Sequence, residues 1–297
     1  MDRISRGWAL TKQSWEVLTR DRSLVIFPIL STLFAILAVI AIWVPALLIG
    51  GVFEGRQVDQ QNPVYWVAGV AMAYVSTFIA IFFNVALAAC AARSMRGEDT
   101  KVGEGISAAA NRLGPILGWS FVTTTVGLIL RAIEDRVPLA GKIVVWLAGA
   151  AWAVATFFVV PVVALEGTGP LDSLKRSAAV VKARWGEGAT GAATIGVVTF
   201  LVSFAIAVVG GVGFSALAGA GLPLLAGAFV ALAVAAILVV SFISSALSQI
   251  FRVAVYQYAV TGAAPGGFDG RLLQAAFTGG TRPQRNYGAD PTTGRPL

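Results

Sequence analysis

The sequence predicts an all-α integral membrane protein, with six transmembrane helices and three amphipathic interfacial helices on the cytoplasmic side. Two compositional observations support this fold class: charged residues make up 12% of the 297 positions, against roughly 25% in soluble domains, and the mean hydropathy is +0.79. In addition, the chain contains charge-free runs longer than the about 20 apolar residues that a helix needs to cross a bilayer. These three features are typical of a multi-pass membrane protein.

The six predicted spans follow the charge-free runs in chain order. Four runs hold one span each, and the fifth, from Gly188 to Phe251, is long enough for two spans separated by turn residues at 219–223. The spans are expected at about 24–50, 64–92, 113–130, 143–165, 190–213 and 224–251.

These spans divide the chain into three parts. A cytoplasmic amphipathic helix is expected at 1–22, the six-helix transmembrane domain at 23–260, and a cytoplasmic tail at 261–297. Within the tail, Asp269 is placed to cap a short helix at 270–278. The residues after that helix are rich in Gly, Pro and polar side chains, a composition that favours disorder.

The basic residues predict the orientation of the chain. Eighteen of the 22 Lys and Arg residues lie in the N-terminal segment, the loops after the second and fourth spans, and the residues after the sixth span. Because Lys and Arg concentrate in cytoplasmic loops, we expect a cytoplasmic (inner) membrane protein with both termini inside. The net charge of +7 suits anionic lipids of the inner leaflet as partners. No basic block with interleaved aromatics lies away from the membrane, so no nucleic-acid partner is expected.

Three segments on the cytoplasmic side repeat one apolar pattern at intervals of three and four residues, which is typical of one helix face. Each segment precedes an odd-numbered span, so the chain is interpreted as three units of one interfacial helix and two spans; whether the units are a true repeat stays open. The residues of the three stripes are Ile4, Trp8, Thr11, Trp15 and Leu18; Val102, Ile106, Ala109, Leu113 and Ile116; and Leu171, Leu174, Ala178, Val181 and Trp185.

These interfacial helices, called collar helices below, have two interpretations. They either pack on the bundle as structural collars, or they recognise lipid headgroups in the interfacial plane. The basic residues of the third collar are the headgroup candidates: Lys175, Arg176, Lys182 and Arg184.

The residue types argue against an enzyme. With no histidine and a single cysteine, Cys90, the chain lacks the usual ligands of zinc and iron sites. No predicted span contains an aspartate, and no glycine-rich loop ends in Gly-Lys-Ser or Gly-Lys-Thr. We therefore expect a non-enzymatic protein with no catalytic residue, cofactor or metal.

Neutral polar residues at similar depth in the spans are candidates for a polar cavity. Turned inward together they would line such a cavity; alternatively, they hydrogen-bond to their own helix carbonyls or join neighbouring helices. Asn84 is the strongest candidate, because the backbone of its own helix cannot provide hydrogen-bond partners for all the donors and acceptors of its side-chain amide. The candidates are Asn84, Thr123, Thr124, Thr125, Thr156 and Ser241.

Two further features have alternative interpretations. Small residues recur every four positions in the sixth span (Gly227, Ala231, Ala235) and in the fourth span (Gly149, Ala153). This spacing allows close helix packing within the chain or, less favoured, a homo-oligomer contact. Glu166 stands at the cytoplasmic end of the fourth span, where it either ends the span among solvated headgroups or binds a ligand or a basic residue of a neighbouring collar.

Three stretches carry a resemblance that covers most of the chain: "ISRGWALTKQSWEVLTRDRSLVIFPILS", "PVVALEGTGPLDSLKRSAAVVKARWGE" and "RVAVYQYAVTGAAPGGFDGRLLQAAF". They resemble a multi-pass prokaryotic membrane protein family, the domain of unknown function 6159. The middle stretch is also loosely similar to the membrane domain of glycerophosphodiester phosphodiesterases. Neither resemblance implies catalytic residues here.

Two functional hypotheses follow. One is a membrane-organising or lipid-interacting scaffold, which the collars and the charge-free spans favour. The alternative is a permease or channel-like protein for a small neutral or amphiphilic solute, which the mid-span polar residues favour.

Overall fold

The computed structural model describes residues 3–55, 57–58, 61–184 and 189–277, and these ranges contain helices and connecting turns only. Short 3-10 turns occupy Arg22–Val25 and Val52–Glu54. The α-helices are α1 Arg3–Arg20, α2 Ile26–Ile49, α3 Pro63–Ser94, α4 Val102–Ala110, α5 Leu113–Glu134, α6 Leu139–Ala155, α7 Val159–Leu165, α8 Pro170–Arg184, α9 Ala189–Gly219, α10 Pro223–Thr261 and α11 Gly270–Phe277.

Within the described ranges, six helical segments are long and apolar enough to cross a membrane, which confirms the predicted number. They are Arg22–Ile49, Pro63–Ser94, Leu113–Glu134, Gly141–Leu165, Thr194–Gly219 and Pro223–Thr261. The short helix α11 begins after Asp269, whose Oδ1 accepts a hydrogen bond from the Arg271 N–H at 2.8 Å. The tail beyond 277 lies outside the described residues.

The fourth candidate span is not one continuous helix, as the uninterrupted apolar run at 143–165 had predicted. Helix α6 ends at Ala155 and α7 begins at Val159, with the turn Thr156–Phe158 between them. Pro161 favours this break, because its ring has no N–H to donate and clashes with the carbonyl four residues earlier, that of Phe157.

Helix α3 is the centre of the bundle and contacts α2, α4, α5, α7 and α10. Its second half is buried, including Val85, Ala88 and Ala92, and so is the last part of α10, including Ile250 and Ala254. Away from this end, large apolar side chains on the helices are exposed, such as Leu139, Trp146, Leu224 and Leu232. The protein core therefore lies at the end of the bundle near the collar helices, the collar face, and apolar surface remains uncovered toward the other end.

The three collar helices contact the bundle in a cyclic order. The spans form three hairpins: α2 with α3, α5 with α6–α7, and α9 with α10. Collar α4 packs on α3 of the first hairpin, α8 packs on the second hairpin, and α1 packs on α9 and α10 of the third. Each collar thus covers the hairpin of the preceding unit, and α1 closes the cycle.

The first collar buries a different face from the one predicted. Leu10, Ser14 and Val17 are buried against the bundle, whereas Trp8 and Trp15 are 56% and 45% exposed. The pattern was misleading because the buried face includes a serine, which satisfies its hydroxyl by donating to the Leu10 carbonyl at 3.1 Å. Thr11, Leu18 and Ile4 were the other members of that stripe; Leu18 is buried, and the Ile4 side chain lies outside the described part.

The other two stripes also need correction. Helix α4 ends at Ala110, so Leu113 and Ile116 belong to α5 and not to a collar helix. In the described part of α8 the buried side chains are Ser173, Ser177 and Val180; Leu174 and Val181 of the predicted stripe are partly buried against the core, and Leu171 is exposed. Trp185 lies outside the described residues.

The small-residue stripe of α10 does not pack within the chain, contrary to the favoured interpretation. Gly227, Ala231 and Ala235 are all exposed. The close packing between α9 and α10 depends instead on glycines of α9. Gly210 and Gly213 leave room for side chains of α10, and a Cβ at Gly213 would overlap the Phe229 ring. In α6, a Cβ at Gly149 would meet nothing within 4 Å.

Candidate functional site

The break in the fourth candidate span is closed by a serine from the third collar. The Ser177 hydroxyl donates to the Ala155 carbonyl at 2.6 Å and accepts from the Phe158 N–H at 3.1 Å. Ser177 is fully buried. Its hydroxyl therefore takes the place of water as a hydrogen-bond partner for two backbone groups at the break. This contact attaches α8 to the junction of α6 and α7.

Glu166 joins three helices at the collar face. It follows α7, and its Oε1 accepts hydrogen bonds from the Tyr256 hydroxyl of α10 and from Nε of Arg176 of α8, the latter at 3.2 Å. Its side chain is only 30% exposed. The hydrogen bond with Tyr256 and the pairing with Glu166 raise the pKa of Arg176 above its ordinary value. Glu166 therefore binds a basic residue of the adjacent collar, which was one of its predicted alternatives.

A second arginine, Arg112, lies against Gly167, the residue after Glu166. The φ of Gly167, +67°, lies in the left-handed region that favours glycine, and a Cβ at this position would overlap the guanidinium of Arg112. Arg112 comes from the turn between α4 and α5. The arginines that precede and follow the second hairpin thus lie beside one short stretch, Glu166–Gly167.

A third arginine, Arg252, lies one helical turn before Tyr256 on α10. Its guanidinium is 4.8 Å from the centre of the Phe157 ring, a cation–π contact. Its Nε is shielded from solvent and has no hydrogen-bond partner, and no described carboxylate lies within 4.0 Å of it. At this end of the bundle, Arg112 and Arg176 thus lie beside Glu166–Gly167, and Arg252 lies beside Phe157.

The predicted headgroup candidates have different surroundings. Lys175 is 79% exposed and lies 3.8 Å from Asp172, Lys182 is exposed, and Arg176 is held by Glu166. Arg184 is in α8, but its side chain is outside the described part. Sequence reasoning missed Tyr256, Ser177 and Arg252 as site residues; for Arg252, the signal was a charge directly after the longest charge-free run.

The structure brings together two of the predicted polar-cavity residues. Asn84 and Ser241 line a cavity of about 340 Å³ between α2, α3 and α10. Sequence reasoning missed three hydroxyl residues that also line it: Ser31, Thr32 and Ser245. Asn84 donates from Nδ2 to the Ala80 carbonyl at 2.8 Å, and Ser241 donates to the Ile237 carbonyl at 2.8 Å.

The remaining candidates lie elsewhere. Thr123 and Thr124 have buried hydroxyls without a hydrogen-bond partner on α5, and Thr125 is on the same helix. Thr156 caps α6 and donates to the Trp152 carbonyl at 2.8 Å. In the part of the chain that the structure describes, no group of three His, Cys, Asp or Glu side chains is arranged to hold a metal ion.

The fold and this site define an all-α protein whose six long apolar helices are suited to a membrane, with a polar, arginine-rich collar face. The family model described as a family of unknown function (DUF6159) matches residues 64–267. The chain therefore belongs to this family. No curated protein matches it, and the similarity to glycerophosphodiester phosphodiesterases stays a prediction.

Proposed function

We propose that this chain is a non-enzymatic protein of the cytoplasmic membrane that binds anionic lipid headgroups at its collar face and organises the lipids around it. In this proposal the six apolar helices cross the bilayer, and both termini and the collars lie in the cytoplasm. The charge distribution that predicts this orientation also gives the collar face its positive charge, which attracts an anionic leaflet.

The observation that carries the proposal is Arg252, an arginine that has no described carboxylate within 4.0 Å. Arg252 is half-buried, its Nε has no partner, and Glu166 is already bonded to Tyr256 and Arg176. A buried donor without a partner costs about 1–3 kcal/mol, more when it is charged. A lipid phosphate would supply the missing acceptor and offset the charge of Arg252, because guanidinium and phosphate form strong charge-assisted hydrogen bonds.

The first collar supports the same interpretation. Helix α1 is held to the bundle by Leu10 and Val17, so its exposed Trp8 and Trp15 are not needed for its attachment. Tryptophan is enriched at the boundary between headgroups and acyl chains. The exposed amines Lys175 and Lys182 of α8 add charge for a less specific attraction to the surface.

The test is mass spectrometry of the lipids retained after gentle purification. We expect anionic lipid to be enriched over its share of the bulk membrane, and the enrichment to fall about tenfold in Arg252→Gln, since a charged hydrogen bond contributes about 1.5–3 kcal/mol. Arg271→Gln, a change at an exposed arginine of α11, is the matched control. Equal lipid composition in the protein and the bulk membrane, or equal loss in both variants, would overturn the proposal.

A second candidate function rests on the cavity of about 340 Å³ that Asn84 and Ser241 line. Its volume is within the usual range of ligand sites, about 300–1,000 Å³, and its polar groups are neutral, which suits a small neutral or amphiphilic solute. Flux of such solutes into proteoliposomes that is abolished by Asn84→Leu, and kept by Ser215→Ala outside the cavity, would favour the permease. No flux above protein-free liposomes would exclude it for the solutes tested.

A further inference from the structure

The far end of the bundle, opposite the collar face, contains a larger cavity that the proposed function does not use. It has a volume of about 840 Å³ and lies between α2, α3 and the end of α5. We call it the far-end cavity. Trp43, Trp66 and Leu128 contribute apolar walls, and Arg131, Asp135 and Arg136 lie at the end of α5.

The charges of this cavity favour an anion. Arg131 and Arg136 outnumber Asp135, and neither arginine lies within 4.0 Å of a carboxylate among the described residues. Both side chains are exposed, so they are free to turn toward a bound headgroup. Arginine binds phosphate through two parallel N–H bonds, which an ammonium group does not offer.

The walls of the cavity favour an alkyl chain. Trp66 and Val70 are 69% and 48% exposed although they belong to a helix whose other half is the protein core. At Gly69, which also lines the cavity, a Cβ would meet nothing within 4 Å. The cavity is therefore open beside the helix surface and has room for a chain below the two arginines.

We propose that the far-end cavity binds an anionic lipid, with its phosphate on Arg131 and Arg136 and part of its acyl chain along Trp43, Trp66 and Gly69. None of these residues belongs to the collar face, so this site does not rest on the proposed function. The required chemistry is a phosphate ester that carries an alkyl chain, since arginines alone would also attract free phosphate.

The test is a titration of the purified full chain in neutral detergent with a bromine-bearing dodecyl phosphate, which quenches the fluorescence of nearby tryptophans. We expect saturable quenching of tryptophan fluorescence. The component of this quenching that comes from Trp43 should disappear in Trp43→Phe. Inorganic phosphate and dodecanol serve as competitors. Neither should displace the probe at equal concentration, because each has only half of the required chemistry.

Two variants with matched controls locate the binding. Gly69→Leu fills the cavity, and Arg131→Gln with Arg136→Gln removes its charge; each is expected to raise the dissociation constant of that component about tenfold. The controls are Gly149→Leu, where a Cβ also meets nothing within 4 Å, and Lys142→Gln at an exposed residue at the start of α6. Arg252→Gln should keep this component, which separates the site from the collar face.

Three results would overturn the inference. The first is equal affinity in the charge variant and in Lys142→Gln. The second is displacement of the probe by inorganic phosphate, which would indicate a site for the free ion. The third is displacement by dodecanol, which would show that the anionic head is not recognised. If Gly69→Leu fails to fold, the variant with Arg131→Gln and Arg136→Gln tests the inference alone. Its two substituted side chains are exposed, so the changes do not disturb the core.

Discussion

The hydroxyl of Ser177 bonds both sides of the helix break, accepting from the Phe158 N–H and donating to the Ala155 carbonyl. A collar helix thereby supplies two hydrogen bonds to the backbone of a neighbouring candidate span. Because the broken segment ends at Glu166, the same attachment also sets where that carboxylate meets Arg176 and Tyr256.

Ser177→Ala is expected to destabilise the protein substantially. It removes the serine partner of the Phe158 N–H and of the part-buried Ala155 carbonyl, and losing the partner of a buried polar group costs about 1–3 kcal/mol. Thermal unfolding in detergent measures the effect. Ser215→Ala is the control, because that hydroxyl only donates to Gly211 of its own helix and is exposed; we expect a change within about 0.5 kcal/mol there. Equal midpoints for the two variants would contradict the role given to Ser177.

Glu166 and Tyr256 are expected to be energetically coupled. The double-mutant cycle of Glu166→Gln and Tyr256→Phe should give a coupling free energy of about 0.5–3 kcal/mol, the range for residues in one hydrogen-bond network. The same cycle between Glu166→Gln and Thr261→Val, an exposed position of α10 whose hydroxyl donates to the Gln257 carbonyl, should give a value near zero. Coupling that is equal in both cycles would mean that the hydrogen bond does not stabilise the folded chain.

Gly167→Ala is expected to cost more than Gly97→Ala. Both glycines have positive φ, +67° and +83°, so both variants incur about 1–2 kcal/mol of backbone strain. A Cβ at Gly97 meets nothing within 4 Å, whereas at Gly167 it overlaps Arg112. In an Arg112→Ala background the difference between the two variants should therefore disappear. A difference that persists there would show that Arg112 is not the obstacle.

The cluster of Arg93, Arg96 and Glu98 should make stability depend on acid pH. Hydrogen bonds from Arg93 and Arg96 lower the pKa of Glu98 below its ordinary value of 4.5. A lowered folded-state pKa gives a contribution that is present above the unfolded pKa and is lost as the pH falls through the folded value. The difference in unfolding midpoint between wild type and Glu98→Gln should therefore shrink in acid. A difference that is constant from neutral to acid pH would contradict this.

The number of candidate spans could be predicted because the length of a charge-free run is a property of the chain alone. Pro161 was a sequence signal for the break at Thr156–Phe158. A proline also occurs inside the unbroken helix α2, at Pro45, so a proline alone does not predict whether a span is broken. Which side of a collar is buried was not predictable from apolar spacing, because Ser14, Ser173 and Ser177 are buried and Trp8 is not. Their positions depend on the hairpins they cover.

The contacts of the candidate site were even less accessible to sequence reasoning. Glu166 and Tyr256 are 90 residues apart, and the contact between α7 and α10 brings them together. Asn84 and Ser241 were predicted at similar depth, and the structure places them in one cavity. Thr123 and Thr124 were predicted at that depth too, but the cavity is lined by α2, α3 and α10 and not by α5.

Labelling of engineered cysteines in intact cells tests the central claim, that the collar face lies in the cytoplasm and the hairpin ends lie outside. Cys90 is buried, so the native background should react little. We predict that a membrane-impermeant maleimide labels Val58→Cys in intact cells, and labels Lys175→Cys or a cysteine at residue 290 only after permeabilisation. Labelling of Lys175→Cys from outside, with Val58→Cys protected, would contradict the account.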